Sequence, residues 1–213
     1  PQATGNFRIG ERLTYNFSFE KFGNVAYAET YVVSQGKLGE KNAVELRSKI
    51  RTLSSFSAAF YMVDESRTTF AATDTGLPLY VRNAVNESIS QQQTISNFLV
   101  SPTINYDWLT LLYQARNTGG IGSFQLQEND KVYNVSFAPA GNERVRTGAG
   151  EFETAVSTVQ SNYLTEKGIT NFRINFSVDE ARLPVVIRFK TVKGEFRGEI
   201  ASIQMLETQT ETA

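Results

Sequence analysis

The 213-residue chain predicts a mainly β fold: an antiparallel meander forming a closed or nearly closed β-barrel, or a strongly curved sheet, with one buried mid-chain α-helix. Three observations carry this expectation. Apolar and polar side chains alternate with period two along most of the sequence, the spacing of half-buried strands. Tight-turn residues separate the alternating runs at short intervals. One mid-chain segment changes to helical spacing and is apolar on nearly every side.

The first run is the clearest. Leu13, Tyr15, Phe17 and Phe19 fall on one face, and Thr14, Asn16 and Ser18 on the other. Phe172, Ile174, Phe176 and Val178 alternate with Arg173, Asn175 and Ser177, and Val185, Ile187 and Phe189 with Val186, Arg188 and Lys190. Weaker alternation covers about 25–35, 42–52, 56–71, 78–90, 131–138, 152–162 and 195–206. Turns are expected at Phe22-Gly23-Asn24, Gly36 to Gly39, Gly76-Leu77-Pro78, Pro139-Ala140-Gly141-Asn142, Lys167-Gly168 and Lys193-Gly194. Regular short strands with such turns suit a barrel, which also removes exposed sheet edges.

The helix is expected over about 107–117. Asp107 is its candidate N-cap and Gly119-Gly120 its stop. Trp108, Leu111, Leu112 and Ala115 share a face; Leu109 and Tyr113 widen it. Such a helix must be buried, against the sheet or across a barrel end. No linker divides the chain, so one domain over 1–213 is expected, ordered from about 7 to 206, with a frayed tail from Glu207.

Composition narrows the chemistry. The chain has no cysteine and no histidine. Thiolate nucleophiles, Ser-His-Asp triads and His- or Cys-ligated zinc are therefore excluded. A net charge of -1 offers no field to attract nucleic acid. No run approaches the ~18 apolar residues of a transmembrane helix. Gly148-Ala149-Gly150 leads into a strand pattern, not the helix a phosphate loop needs. No Ca-loop motif is present. No catalytic residue, metal site or cofactor is expected.

Several motifs, in order, resemble those of an exported bacterial family, domain of unknown function 3108. They are Gly10-Glu11-Arg12-Leu13-Thr14-Tyr15, Tyr61 to Ser66, Asp107 to Arg116, Gly150-Glu151-Phe152, Asp179 to Val185 and Gly194-Glu195-Phe196. Phe176 stands where many members would have Trp, and Thr110 where Ser is usual. The resemblance implies a β-rich fold and a place in the periplasm or at the cell surface, with any signal peptide removed. It implies no activity.

Trp108, Tyr113 and Arg116 are candidates to border a ligand cavity; the alternative is core packing, with the Arg116 charge complementing the helix dipole. Arg188 and Lys190 share a sheet face where an anionic glycan or lipid headgroup could dock; the alternative is a solvated face. An Asp/Arg contact within Asp179 to Pro184 is expected to organise a hairpin turn. The resulting expectation is a non-enzymatic envelope protein that binds an apolar or amphipathic ligand, or another envelope component. A structural or accessory subunit of a surface assembly is the first alternative, and a polysaccharide hydrolase with paired carboxylates the second. Nothing in the sequence sets the oligomeric state.

Overall fold

A computed structural model of the protein describes residues 7–53, 64–87, 92–99 and 104–207. In chain order the elements are β1 (Glu11–Phe19), β2 (Phe22–Leu38), β3 (Lys41–Thr52), β4 (Asp64–Ala72), β5 (Pro78–Glu87), β6 (Gln92–Leu99), α1 (Trp108–Asn117), β7 (Gly122–Glu128), β8 (Lys131–Thr147), β9 (Gly150–Ser161), α2 (Asn162–Glu166), β10 (Thr170–Ser177), β11 (Pro184–Thr191) and β12 (Gly194–Met205). All the described strands belong to one antiparallel sheet, in the order β6-β5-β4-β3-β2-β1-β12-β11-β10-β9-β8-β7. Each strand pairs with its neighbour in sequence except β6 and β7, which α1 connects. The first and last strands meet in the middle, joined from Glu11↔Met205 to Phe19↔Phe196.

The order describes a ring opened at one seam. β6 and β7 form its two edges and are not hydrogen-bonded to each other. The segment entering α1 bridges part of the seam: Tyr106 pairs in parallel with Leu126, its N–H donating to Gln125 O at 2.8 Å and its carbonyl accepting from Gln127 N at 2.8 Å.

Alternation on β1 is the expected one, with Leu13, Tyr15, Phe17 and Phe19 all buried. The Phe17 ring lies over Gly198 of β12, where an added Cβ would approach it to 2.5 Å. The expected run 56–71 is described as strand from Asp64, and 78–90 as strand to Glu87; 56–63 and 88–90, like part of the Tyr61 to Ser66 motif, lie outside the described residues. The turn expected at Pro139 to Asn142 is instead a bulge inside the 17-residue β8. The register with β9 shifts between Pro139 and Asn142. An extra residue bends a strand without ending its pairing, and Gly141 tolerates the required φ of 106°.

Helix α1 is expected and found. Asp107 caps it, accepting from Thr110 N while the Asp107 N–H reaches the Thr110 hydroxyl. Its far end closes as a Schellman turn: Gly120 N donates to Ala115 O at 2.7 Å and Gly119 N to Arg116 O at 3.1 Å. The helix is apolar on opposite sides because each side faces a different part of the sheet. Leu109 and Tyr113 pack with Phe7, Val32, Val44, Leu46 and Ala71, from the first half of the chain. Leu111 and Ala115 pack with Leu126, Val135, Phe137, Val159, Ile174 and Phe176, from the second. A third cluster lies around the β1–β12 junction and includes Tyr15, Phe17, Val185 and Ile200.

Gly120 is where the helix exit touches the sheet. Its φ is +74°, and a Cβ there would meet Ser157 Oγ at 2.2 Å and the Phe176 ring at 2.7 Å. Left-handed backbone and overpacking together make Gly120→Ala about 3 kcal/mol less stable. Urea unfolding checks this; a loss under about 1 kcal/mol would show that the contact yields freely.

Candidate functional site

The site is built around α1, whose ends are held by buried charges. At the C-terminal end, Arg116 donates from Nη1 to Glu11 Oε1 at 2.6 Å and from Nη2 to Glu11 Oε2 at 3.1 Å. Its Nε and Nη2 also donate to the Ala181 carbonyl, at 3.3 and 2.9 Å. Glu11 is 0% exposed and Arg116 1%. Burial opposes the Arg116 charge, but the Glu11 hydrogen bond and the surrounding groups outweigh it, so the guanidinium pKa is raised. Its carbon sits 5.1 Å from the centre of the Tyr113 ring. Burial pushes the phenols of Tyr113 and Tyr15 well above the ordinary range, keeping both neutral beside the pair.

The Asp179 turn docks on this end. Asp179 organises it by accepting from the N–H groups of Ala181 and Arg182, both at 3.1 Å, and from the Ser177 hydroxyl at 2.7 Å. The expected Asp/Arg contact is present, but through the Arg182 N–H and not its guanidinium. Arg182 points to the helix and donates to the Asn117 and Arg116 carbonyls. Carbonyls at a helix C-terminus favour a cation, and Arg182 supplies one at Asn117 and at Arg116, whose carbonyl also accepts from Gly119 N, while the Arg116 side chain turns inward to Glu11.

At the N-terminal end, Arg67 of β4 reaches Asp107 at 3.4 Å and Glu128 of β7 at 2.9 Å. Thr69 donates to Asp107 at 2.8 Å. Burial opposes the Arg67 charge, and Asp107 and Glu128 overcome it, raising its pKa. Asp107 and Glu128 are paired carboxylates at one pocket, but the pocket holds about 30 Å³, roughly the share of one liquid water. Asp107 is also committed to the cap, to Thr69 and to Arg67. The arrangement joins the two sides of the seam; it leaves no room for a sugar ring. Among the described residues no cluster of three or more acidic groups is placed to hold a metal ion.

Beyond the helix, the same sheet face carries a row of aromatics at the opposite end of β1 from Glu11. Phe172 stacks on Phe189 at 5.8 Å, Phe189 on Phe196 at 5.1 Å, and Phe196 tilts against Phe19 at 4.7 Å. The register shows why they align: Phe189 pairs with Phe196, which pairs with Phe19. Phe172, Phe189 and Phe196 are only half-buried. Phe172 belongs to the apolar cluster that includes Trp108 and Leu112 of α1. Trp108 tilts against Tyr163 of α2 at 5.4 Å.

Arg188 and Lys190 share the other face. Arg188 donates to Glu143 at 2.9 Å, and Lys190 lies 3.5 Å from Glu195. Asn175 adds a bond to Glu143 at 2.8 Å and one to the Thr154 hydroxyl at 2.9 Å. A pocket of about 210 Å³ is lined by Asn171, Arg173, Arg188, Phe189, Lys190 and Glu195, so one member of the aromatic row, Phe189, borders the same rim as these charged side chains. Of the sequence candidates, the structure brings Tyr113 and Arg116 together inside the core, sets Trp108 against Tyr163 beside the cluster that Phe172 also flanks, and places Arg188 and Lys190 at that rim. Sequence reading missed Glu11, Arg67, Glu128 and Glu143. A buried acid in a strand has no local signature, although Glu11 does interrupt no alternation and sits on the face of Leu13 and Tyr15.

Replacing one member of the Arg116–Glu11 pair leaves the other charge buried. Arg116→Met should cost about 3–5 kcal/mol, and adding Glu11→Leu should recover part of it. Denaturant unfolding of the single and double variants tests this; a double variant that loses the sum of the singles contradicts the coupling. For Glu143, hydrogen bonds from Arg188 and Asn175 hold the carboxyl below its ordinary pKa. It therefore contributes stability above the unfolded-state value, and that contribution is lost as pH falls through the lower folded value. An NMR titration should place its midpoint below that of an ordinary Glu, and Arg188→Met should move it upward; an unmoved midpoint would refute this cause.

The fold has counterparts among solved structures. A β-barrel-like protein of domain of unknown function DUF1849 from Brucella abortus superposes with a TM-score of 0.50 at 11% identity, covering 94% of this chain and 99% of that one. A candidate lipoprotein from Parabacteroides distasonis gives a TM-score of 0.43 at 10% identity, with 96% and 100% covered. A candidate exported protein with a YmcC-like fold from Bacteroides fragilis gives 0.40 at 10% identity, with 92% and 96% covered. The first likeness supports the barrel-like architecture and nothing about activity. No curated protein matches the sequence, and no helix among the described residues is long and apolar enough to cross a membrane. The family profile described as "Protein of unknown function (DUF3108)" matches residues 86–201, more than half of the chain and including α1, the Asp179 turn and the aromatic strands. The chain is thus a member of the DUF3108 family.

Proposed function

We propose that the protein is a non-enzymatic component of the cell envelope, outside the cytoplasm, that binds an anionic amphiphile at the aromatic end of its curved sheet. The observation that carries the reading is the row Phe172, Phe189 and Phe196, stacked yet half-buried on the face that bears α1. A filled core would bury such rings; half-buried rings on a concave face are what an acyl chain needs. Arg188 and Lys190, lining the rim pocket beside Phe189, would meet the headgroup, and Trp108 would border the chain. Tyr113 and Arg116 would act one step back, by fixing α1. The family likeness supports placement outside the cytoplasm, and the absence of cysteine is compatible with it.

A second reading has its own observation. The open seam leaves β6 and β7 as edge strands, which a partner strand of a larger assembly would complete.

Trp108 is the single tryptophan and serves as an internal reporter. Titration with an anthroyloxy-labelled stearate should give saturable energy transfer from Trp108. Phe189→Ser should weaken it by about tenfold or more, the effect of removing one buried aromatic contact. Absence of saturable transfer, or equal binding by the variant, would overturn the reading.

A further inference from the structure

A different groove lies beside α2, between the ends of β8, β9 and β10. It has a volume of about 570 Å³ and opens to solvent, within the ~300–1,000 Å³ range of small-molecule sites. Its lining includes Tyr133, Asn134, Gln160, Asn162, Asn171 and Phe172, with hydroxyls from Ser161, Thr165 and Thr170, and no charged side chain. The other described pockets differ in this respect: one contains Glu40, Lys41 and Asp74, one Arg67, Asp107 and Glu128, and one Arg173, Arg188, Lys190 and Glu195.

We propose that this groove binds a neutral oligosaccharide. Side-chain amides offer a donor and an acceptor on one planar group, which matches adjacent sugar hydroxyls. Gln160, Asn162 and Asn171 are exposed, and their amides have no hydrogen-bond partner among the described residues. Asn134 accepts from Gln125 at 2.6 Å and keeps its own amide hydrogens for a ligand. Aromatic rings supply the apolar platform for the C–H face of a pyranose. Tyr133 is held ready: its hydroxyl donates to Glu166 at 2.9 Å, and its ring packs edge-on against Tyr163 at 5.3 Å. A site fixed before binding loses less entropy on association. The absence of charge from the lining selects a neutral sugar over an acidic one, and over the anionic headgroup proposed for the rim. The groove shares Phe172 with the aromatic row and Asn171 with the rim pocket, but Tyr133, Asn134, Gln160 and Asn162 belong to it and not to the amphiphile reading.

The test uses the full chain and a panel of maltotriose, cellotriose, triacetylchitotriose and trigalacturonate, followed by calorimetry and by amide chemical shifts. At least one neutral trisaccharide should bind saturably and shift the amides of Tyr133, Asn134 and Asn171 in the unmodified protein; trigalacturonate should not. Gln160→Ala with Asn162→Ala should weaken binding by about tenfold or more, two lost hydrogen bonds. Failure of every neutral trisaccharide, shifts located elsewhere, binding of trigalacturonate alone, or undiminished affinity in a folded double variant would each overturn the proposal.

Discussion

Helix α1 is wedged between the two halves of an open sheet, and the rest of the structure depends on that placement. A sheet with a seam exposes its inner face as well as two edges. Here the first half of the chain packs on Leu109 and Tyr113, and the second half on Leu111 and Ala115. Among the described residues the helix is the one element that belongs to both of these clusters. Chain order makes this economical: the helix is also the connection between the edge strands, so the segment that could not be a hairpin becomes the filler.

Apolar contact alone does not fix a short helix in register. The buried arginines supply direction. Arg116 ties its exit to Glu11 and to the Ala181 carbonyl, and Arg67 ties its entry to both β4 and β7 through Asp107 and Glu128. Such pairs add little net stability over an apolar filling but strongly penalise any arrangement that separates the partners. They specify one position for the helix. The same contacts occupy the paired acids near the seam: both are tied to Arg67, and Asp107 is also buried and committed to the helix cap.

Much of this was legible in the sequence, for physical reasons. Period-two alternation at Leu13 to Phe19 reports burial on one face directly; at Phe172 to Val178 it does so only in part, because Asn175 and Ser177 are buried as well and Val178 is exposed. The all-round apolar character of Trp108 to Ala115 announced a buried helix, and the Gly119-Gly120 stop marked its end. What was hidden depends on partners distant in the chain. Arg116 looked like a dipole-complementing residue because Glu11 is 105 positions away. Pro139 to Asn142 looked like a turn because bulge and turn use the same residues. β6 is rich in polar residues and lacks sustained alternation, and β7 alternates Phe124 and Leu126 with Ser123, Gln125 and Gln127 over only seven residues. The aromatic row was visible only as a surplus of Phe; its stacking follows from register.

Native-state hydrogen exchange tests the central claim most directly. If α1 is the shared core, the amides of Leu111 to Arg116 should exchange only through global unfolding, with the same free energy as those of β1 and β12. Exchange of α1 through a separate, lower-energy opening, with β1 and β12 still protected, would contradict the account and make the helix a detachable plug.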